Sequence, residues 1–394
     1  MQLRPHQETA LDALASNSKG QVIIPTGGGK TLVAIMDAAM ELDDTYDPRC
    51  KDKTIVVVAP RILLAEQLSS EFLEIIQNVS VMHVHSGETH HFSTTKSDEI
   101  QEWVSDTQGD KLIFTTYHSL HRLVEADTEV DVIYFDEAHN SVQRNFIESV
   151  EYFSLNADRC YFFTATPKHS LTPLKVGMNE PDIFGNVICQ VPAPKLVDEG
   201  YILPPKVKVY KTDILSKDEL TSHVDCQKII ENIDDHKTKK ILVCAKATKQ
   251  ITKLIAESNF VNELICRGYD YMYITAKTGA IINGKKVSRE QFFDTLSAWG
   301  KDDDKKFVVL HHSILSEGIN VKGLEAVLFL RSMDYIGISQ TIGRVIRKGA
   351  KEKTYGLICV PVYSRVGINT ARKVEAVVDT IFNKGEAAIS TVTR

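Results

Sequence analysis

Lys30 and Thr31 follow three consecutive glycines, Gly27, Gly28 and Gly29, in the run QVIIPTGGGKT from Gln21 to Thr31. Glycines at such a point let backbone N–H groups close around a phosphate. A lysine just after them reaches the β and γ phosphates, and the next hydroxyl, here Thr31, can ligand Mg²⁺. The following LVAIMDAAMEL has helical period, so the positive end of a helix dipole faces the anion. Ile24 stands where the strict G-x-x-x-x-G-K-[ST] pattern has its first glycine, which leaves a Gly-rich strand-to-helix turn as the alternative reading.

A second reactive pair, Asp136 and Glu137, ends the apolar run VIYF. The C-terminal end of a parallel strand is where such sheets bind ligands. There one carboxylate can hold Mg²⁺ through its water shell while its neighbour positions and deprotonates an attacking water, as hydrolysis of a nucleoside triphosphate requires. A solvated acidic loop is the bland alternative. The third candidate is QTIGRVIR, residues 340–347. Read as a helix, it places Arg344 and Arg347 three apart on one face, able to reach across a cleft and neutralise charge on a γ phosphate. A basic face turned to solvent is the competing reading.

The elements that would position these groups alternate. Strand runs TIVVVAP, VSVMHVHSG, KLIFTTYHSL, VDVIYFDEAHN and RCYFFTATP are separated by helical segments, the pattern of a parallel sheet with helices on both faces. Pro5 suits the start of a first helix. VPAPKLVDEGYILPP gathers four prolines and predicts a semi-rigid connector. Beyond it the strand–helix rhythm restarts without a second phosphate loop. The expected organisation is a first domain over 1–191, a linker over 192–206 and a second domain over 207–394.

At 394 residues, 43% hydrophobic and 25% charged, the chain has an ordinary globular composition with ample core for two domains. Its formal net charge of −6 supplies no general attraction to nucleic acid, so any such site must be a local groove. Seven scattered cysteines with no C-x-x-C read as reduced core thiols. No run is long and apolar enough for a membrane span, and MQLRPHQ has no signal-peptide character; a cytoplasmic location is expected. Asn283-Gly284 signals a tight hairpin turn, with Lys277, Lys285 and Lys286 decorating a protruding ribbon that would grip or wedge a duplex, or stand as a solvated loop. The histidines at 83, 85, 90 and 91 have no Cys, Asp or Glu spaced as in a known zinc pattern, and are read as surface or strand residues.

In this order, the motifs resemble those of superfamily 2 (DEAD/DEAH-type) helicases over nearly the whole chain. LRPHQ resembles the adenine-recognition element and points to Gln7; PTGGGKT, with Thr26, matches motif I. Ala59 to Arg61 match motif Ia, Phe114 to Tyr117 motif Ib, Asp136 to His139 motif II and Thr164 to Pro167 motif III. ILVCA resembles motif IV, Ser316 to Asn320 motif V, and QTIGRVIR motif VI.

The resemblance implies an α/β fold of two tandem RecA-like domains, parallel sheets flanked by helices, with an ATP cleft between them. It implies ATP and Mg²⁺ as cofactors: Lys30, Thr31, Asp136 and Glu137 would act from the first domain, and Gln340, Arg344 and Arg347 from the second, with Gly318 and Asn320 near the nucleotide. His139, Thr164 and Thr166 would couple nucleotide state to movement. Pro60, Arg61, Thr115 and Thr116 would lie on the nucleic-acid track. Motif V departs from the family, with His312 and Asn320 where Thr and Asp are common. The motif set looks closer to DNA-directed members, restriction-enzyme motor subunits and small phage-encoded helicases of the UvsW type, than to DEAD-box RNA helicases. A monomeric ATP-dependent DNA helicase or translocase in a bacterial or phage-infected cytoplasm is the expectation. An RNA helicase, a duplex-translocating subunit of a larger complex and a nucleotide-gated scaffold are the alternatives.

Overall fold

The computed structural model describes residues 2–43, 52–87, 89–211, 221–275, 277–312, 323–331, 333–349, 353–362 and 365–392. The chain divides into two compact units, Met1–Pro192 with Ile389–Arg394, and Ala193–Ala388.

In the first unit the strands are β1 (Lys19–Ile23), β2 (Thr54–Ala59), β3 (Ser80–Val84), β4 (Phe92–Ser93), β5 (Lys111–Thr116), β6 (Val132–Phe135), β7 (Arg159–Thr164), β8 (Lys168–His169) and β9 (Val187–Gln190). Eight of them form one parallel sheet, in the order β4-β3-β5-β2-β6-β7-β1-β9. The central strands are β-branched and aromatic and every residue of β2, β5 and β6 is buried, as a sheet covered on both faces demands. Helices α1 (Pro5–Ala15), α2 (Lys30–Glu41) and α3 (Ile62–Leu73) include those that start beside the site. Arg159 of β7 pins α2 from below, with its guanidinium 2.7 Å from both Asp37 and Glu41.

The second unit holds β10 (Pro205–Lys211), β11 (Lys240–Cys244), β12 (Asp270–Thr275), β13 (Gly279–Ile282), β14 (Lys285–Val287), β15 (Phe307–His311), β16 (Ala326–Phe329) and β17 (Gly356–Val362). Their order is β10-β17-β16-β11-β15-β12-β13-β14, parallel as far as β12. The last strand, β18 (Ser390–Thr391), pairs with β8 of the first unit.

Three expectations are revised. The proline-rich segment, expected as a semi-rigid connector, is structured and packed. Residues Ala193–Asp198 form a helix, Ile202 bridges Arg347, and Leu203 N–H donates to the Ile346 carbonyl, so 193–204 is built into the second unit. The Asn283-Gly284 turn is present, with φ of 47° and 78° as a type I′ turn requires. Its ribbon does not protrude, however, because β13 pairs antiparallel with β12 and continues the sheet edge. Asn283 locks this register: its Oδ1 accepts from Tyr271 N–H and its Nδ2 donates to Asp270.

The third revision concerns motif VI. The helix Tyr335–Val345 is capped by Asp334, which accepts from Gly337 N–H, and it stops at Val345. Arg347 lies beyond it in the bridge with Ile202. Lys353 donates to the carbonyls of Leu324, Val345 and Arg347, satisfying groups that continued helix would have used. Arg344 and Arg347 therefore do not share a helix face. Gln340 and Arg344, four apart, do.

Candidate nucleotide site

Parallel neighbours β6, β7 and β1 deliver motifs II, III and I to one sheet edge, with a strand spacing of about 4.8 Å, so the loops after β1 and β6 stand roughly 10 Å apart. That span suits a triphosphate end with a hydrolytic water.

The loop after β1 is shaped before any ligand arrives. Ile24 N–H donates to the Thr164 carbonyl and Gly28 N–H to the Pro25 carbonyl. Gly27 and Gly29 have φ of 87° and 85°, a left-handed geometry that other residues adopt at a cost. Gly29 also has no room: a Cβ there would lie 2.4 Å from Gln7 Nε2. His6 and Gln7 of α1 support the loop, the imidazole 2.7 Å from the Gly28 carbonyl and the Gln7 amide donating to the Gly29 carbonyl at 3.2 Å. The Gln7 Oε1 accepts from Arg4 N–H, so in this geometry Gln7 braces the phosphate loop.

Lys30 is 9% exposed, and its Nζ makes a long 3.4 Å contact to the Ile24 carbonyl. The Thr26 hydroxyl is buried and has no hydrogen-bond partner among the described residues. A buried ammonium with donors in reserve, an orphaned hydroxyl and glycine N–H groups are the donor set an anionic phosphate chain satisfies. The hard oxygens Thr31 Oγ1 and Asp136 suit Mg²⁺.

Asp136 continues the ladder, its N–H donating to the Val58 carbonyl, while Tyr117 from the end of β5 donates to its carbonyl at 2.9 Å. Burial first, then the neighbouring Glu137, push the Asp136 carboxyl up to about 7, against the pull of Lys30. Glu137 holds φ 46°, ψ 52°, and its carboxylate lies 3.5 Å from His139 Nδ1. His139 in turn meets Thr164 Oγ1 at 3.2 Å and Thr166 Oγ1 at 3.5 Å, and both threonines are fully buried. Motifs II and III are thus one hydrogen-bonded unit.

The raised Asp136 value makes stability depend on pH. Folding keeps a proton that the unfolded carboxyl gives up near pH 4, so the penalty is absent below that value, grows as pH rises to 7 and is complete above it. The full shift corresponds to roughly 4 kcal/mol, and partial exposure and coupling to Glu137 reduce it to about 1–2. Without divalent cations, Asp136→Asn should melt several degrees above wild type at pH 8 and coincide with it near pH 4. Equal differences at both pH values would remove this explanation.

On the second unit, the helix Tyr335–Val345 sets Arg344, 7% exposed, against the C-terminal ends of β11 and β15. Its charge, with that of Arg331, helps keep His311 well below the usual imidazole range after burial itself. Arg331 donates to the His312 carbonyl. Sequence reasoning passed over Arg331, although the run EAVLFLR signalled a strand delivering an arginine to the same edge. Gly318 and Asn320 lie outside the described residues.

The nucleic-acid candidates separate. Arg61 is exposed at the start of α3, Pro60 is half-buried, and Lys277, Lys285 and Lys286 are exposed on the β13–β14 edge. Thr115 and Thr116 are buried, their hydroxyls directed to the Val84 carbonyl at 3.0 Å and Ser119 Oγ at 3.4 Å. They fix the end of β5 from inside.

Residues 1–169 match the family described as Type III restriction enzyme, res subunit (ResIII). No curated protein matches the chain. Among solved structures, the ATP-dependent Type ISP restriction-modification enzyme LlaBIII bound to DNA aligns with TM-score 0.76 and 19% identity, over 100% of this chain and 31% of that one. A nuclease-deletion mutant of the Type ISP enzyme LlaGI with a DNA substrate mimic aligns at 0.69 and 19%, over 99% of this chain and 30% of that one. The chain thus spans about a third of these structures' length. At this identity the structural matches show the fold, α/β units built on parallel sheets flanked by helices.

Among the described residues, no helix is long and apolar enough to cross a membrane.

Proposed function

We propose that the chain is an ATP-driven DNA motor that couples ATP hydrolysis to movement along DNA, with strand separation or remodelling as the consequence. The observation that carries this is the meeting of motifs I, II and III at one sheet edge of a ResIII domain, with Lys30 and Thr26 holding unused donors there. Lys30 and the glycine amides bind the phosphates, and Glu137 orients and deprotonates the attacking water. Arg344 from the second unit neutralises charge on the γ phosphate, with Gln340 on the same helix face. Mg²⁺, held by Thr31 and Asp136 of the DEAH sequence, would supply Lewis-acid neutralisation of the phosphates when bound. His139 links Glu137 to Thr164 and Thr166, so a change at the γ phosphate reaches motif III and the start of the phosphate loop through Thr164. Arg61, Lys277, Lys285 and Lys286 are the candidate phosphate contacts on DNA.

The similarity to enzymes described with DNA favours movement along duplex over RNA unwinding. A triplex-displacement assay tests this: the chain with ATP should strip a third strand from duplex DNA, and Mg²⁺ should be required. Displacement from forks but never from triplex assigns an unwinding helicase instead. Activity on RNA alone overturns the DNA assignment.

A further inference from the structure

Glu66 on α3 and His83 and His85 at the end of β3 point three ligand atoms at one spot, three strands along the sheet from β6 and used by nothing in the proposed cycle. Glu66 Oε1 lies 3.2 Å from His83 Nδ1 and 3.1 Å from His85 Nε2, and the two nitrogens are 3.0 Å apart. The rings stand nearly perpendicular, at 84°, so this is no stack of core aromatics. His83 is fully buried, His85 is 2% exposed, and Glu66 Oε1 is buried without a hydrogen-bond partner.

A triangle with these edges has its corners about 1.8 Å from its centre. A cation about 1 Å above that plane would therefore stand at roughly 2.0–2.1 Å from all three atoms, the zinc–nitrogen and zinc–carboxylate distance. The surroundings orient the ligands as metal sites do. His83 Nε2 lies 3.1 Å from Ser69 Oγ, which can take its proton and leave the Nδ1 lone pair facing the cluster. On His85, Gly87 N–H approaches Nδ1 at 3.2 Å, so in the cation-free chain the ring proton sits on Nε2 inside the cluster. Binding moves that proton to Nδ1, within reach of the residue's own carbonyl. Thr89 bonds the carboxylate of Glu66.

We infer that Glu66, His83 and His85 form a binding site for one divalent transition-metal cation, zinc by the character of its two nitrogens and one carboxylate oxygen. The electrostatics agree with the geometry. Burial, then His85 and His91, lower His83 to about 3, and burial lowers His85. Burial also raises Glu66, a penalty that a cation removes. His91, stacked on His83 at 5.5 Å, and His90 are exposed and stay outside the ligand set. The sequence hid the site because its carboxylate comes from a different element, the helix that begins after Pro60 and Arg61.

The site's work is to clamp the start of α3 to β3, whose other neighbour β5 ends in Tyr117, the partner of Asp136. Its role is structural and stands whether or not the chain is a motor.

Cobalt(II) titrated into the chelator-treated full chain, followed by visible ligand-field absorbance and displaced by zinc, tests it. One equivalent per chain should bind, and zinc should raise the melting temperature. Glu66→Gln, a half-buried change that keeps the fold, should weaken binding by at least about tenfold and abolish the zinc-dependent rise. Ser69→Ala should weaken it by a similar factor through the freed His83 ring. Substoichiometric uptake by wild type, unchanged binding in both variants, or loss of binding when only His90 and His91 are replaced would each overturn the site.

Discussion

Glu137→Gln lowers ATP turnover by about 10²–10⁴-fold, the range expected for removal of a positioned general base, while the fold persists. The amide fills the same volume beside His139 but cannot take a proton from water. Two features of the site make this a clean test. The left-handed backbone at Glu137 is set by the turn from β6 into the short helix Ala138–Asn140, and Asn140 bonds the Glu137 carbonyl at 2.9 Å, so neither depends on the carboxylate. Removing that charge also relieves its repulsion of Asp136. The variant should thus melt no lower than wild type and still bind ATP. Steady-state phosphate release, with calorimetric nucleotide binding alongside, checks both halves. Turnover near the wild-type rate would assign the base to another group.

Arg344→Ala carries the larger expected loss, about 10³–10⁵-fold in kcat, because a guanidinium on the γ phosphate acts mainly in the transition state. Arg344 is held in place by its own helix. Asp334 caps the start of that helix, Lys353 holds its last carbonyls, and the side chain is packed beside the ends of β11 and β15. Arg344→Lys keeps a charge but not the planar fork, and should recover only a small part of the rate. Arg347 is the weaker candidate, since it leaves the helix and joins the Ile202 bridge.

Much of the arrangement was legible because local patterns imposed it. The runs TIVVVA and VIYF are buried on both faces, as central parallel strands are, and Gly27 and Gly29 give the loop before Lys30 the positive φ values that glycine adopts most readily. Asn283-Gly284 gave its turn for the same reason. What escaped depends on contacts distant in sequence. Periodicity carried QTIGRVIR past Val345, but Lys353 and Ile202 end the helix there. The burial of the Thr115 and Thr116 hydroxyls against β3 and Ser119 was not legible in the run KLIFTTYHSL. Prolines suggested a semi-rigid connector between 192 and 206, and the bonds that hold Leu203 and Ile202 in the second unit come from residues far along the chain. Glu66 joined two histidines only through the packing of α3 on the sheet.

The proposal that Arg344 acts on the γ phosphate is tested most directly by single-turnover hydrolysis by Arg344→Ala in the presence of duplex DNA. Bound [γ-³²P]ATP is chased and phosphate counted, with nucleotide affinity measured in the same preparation. The predicted result is affinity within about tenfold of wild type, a change of at most about 1.4 kcal/mol, and a cleavage step slowed by at least about 10³-fold. Cleavage at the wild-type rate would contradict it, leaving the first unit to hydrolyse ATP without the second.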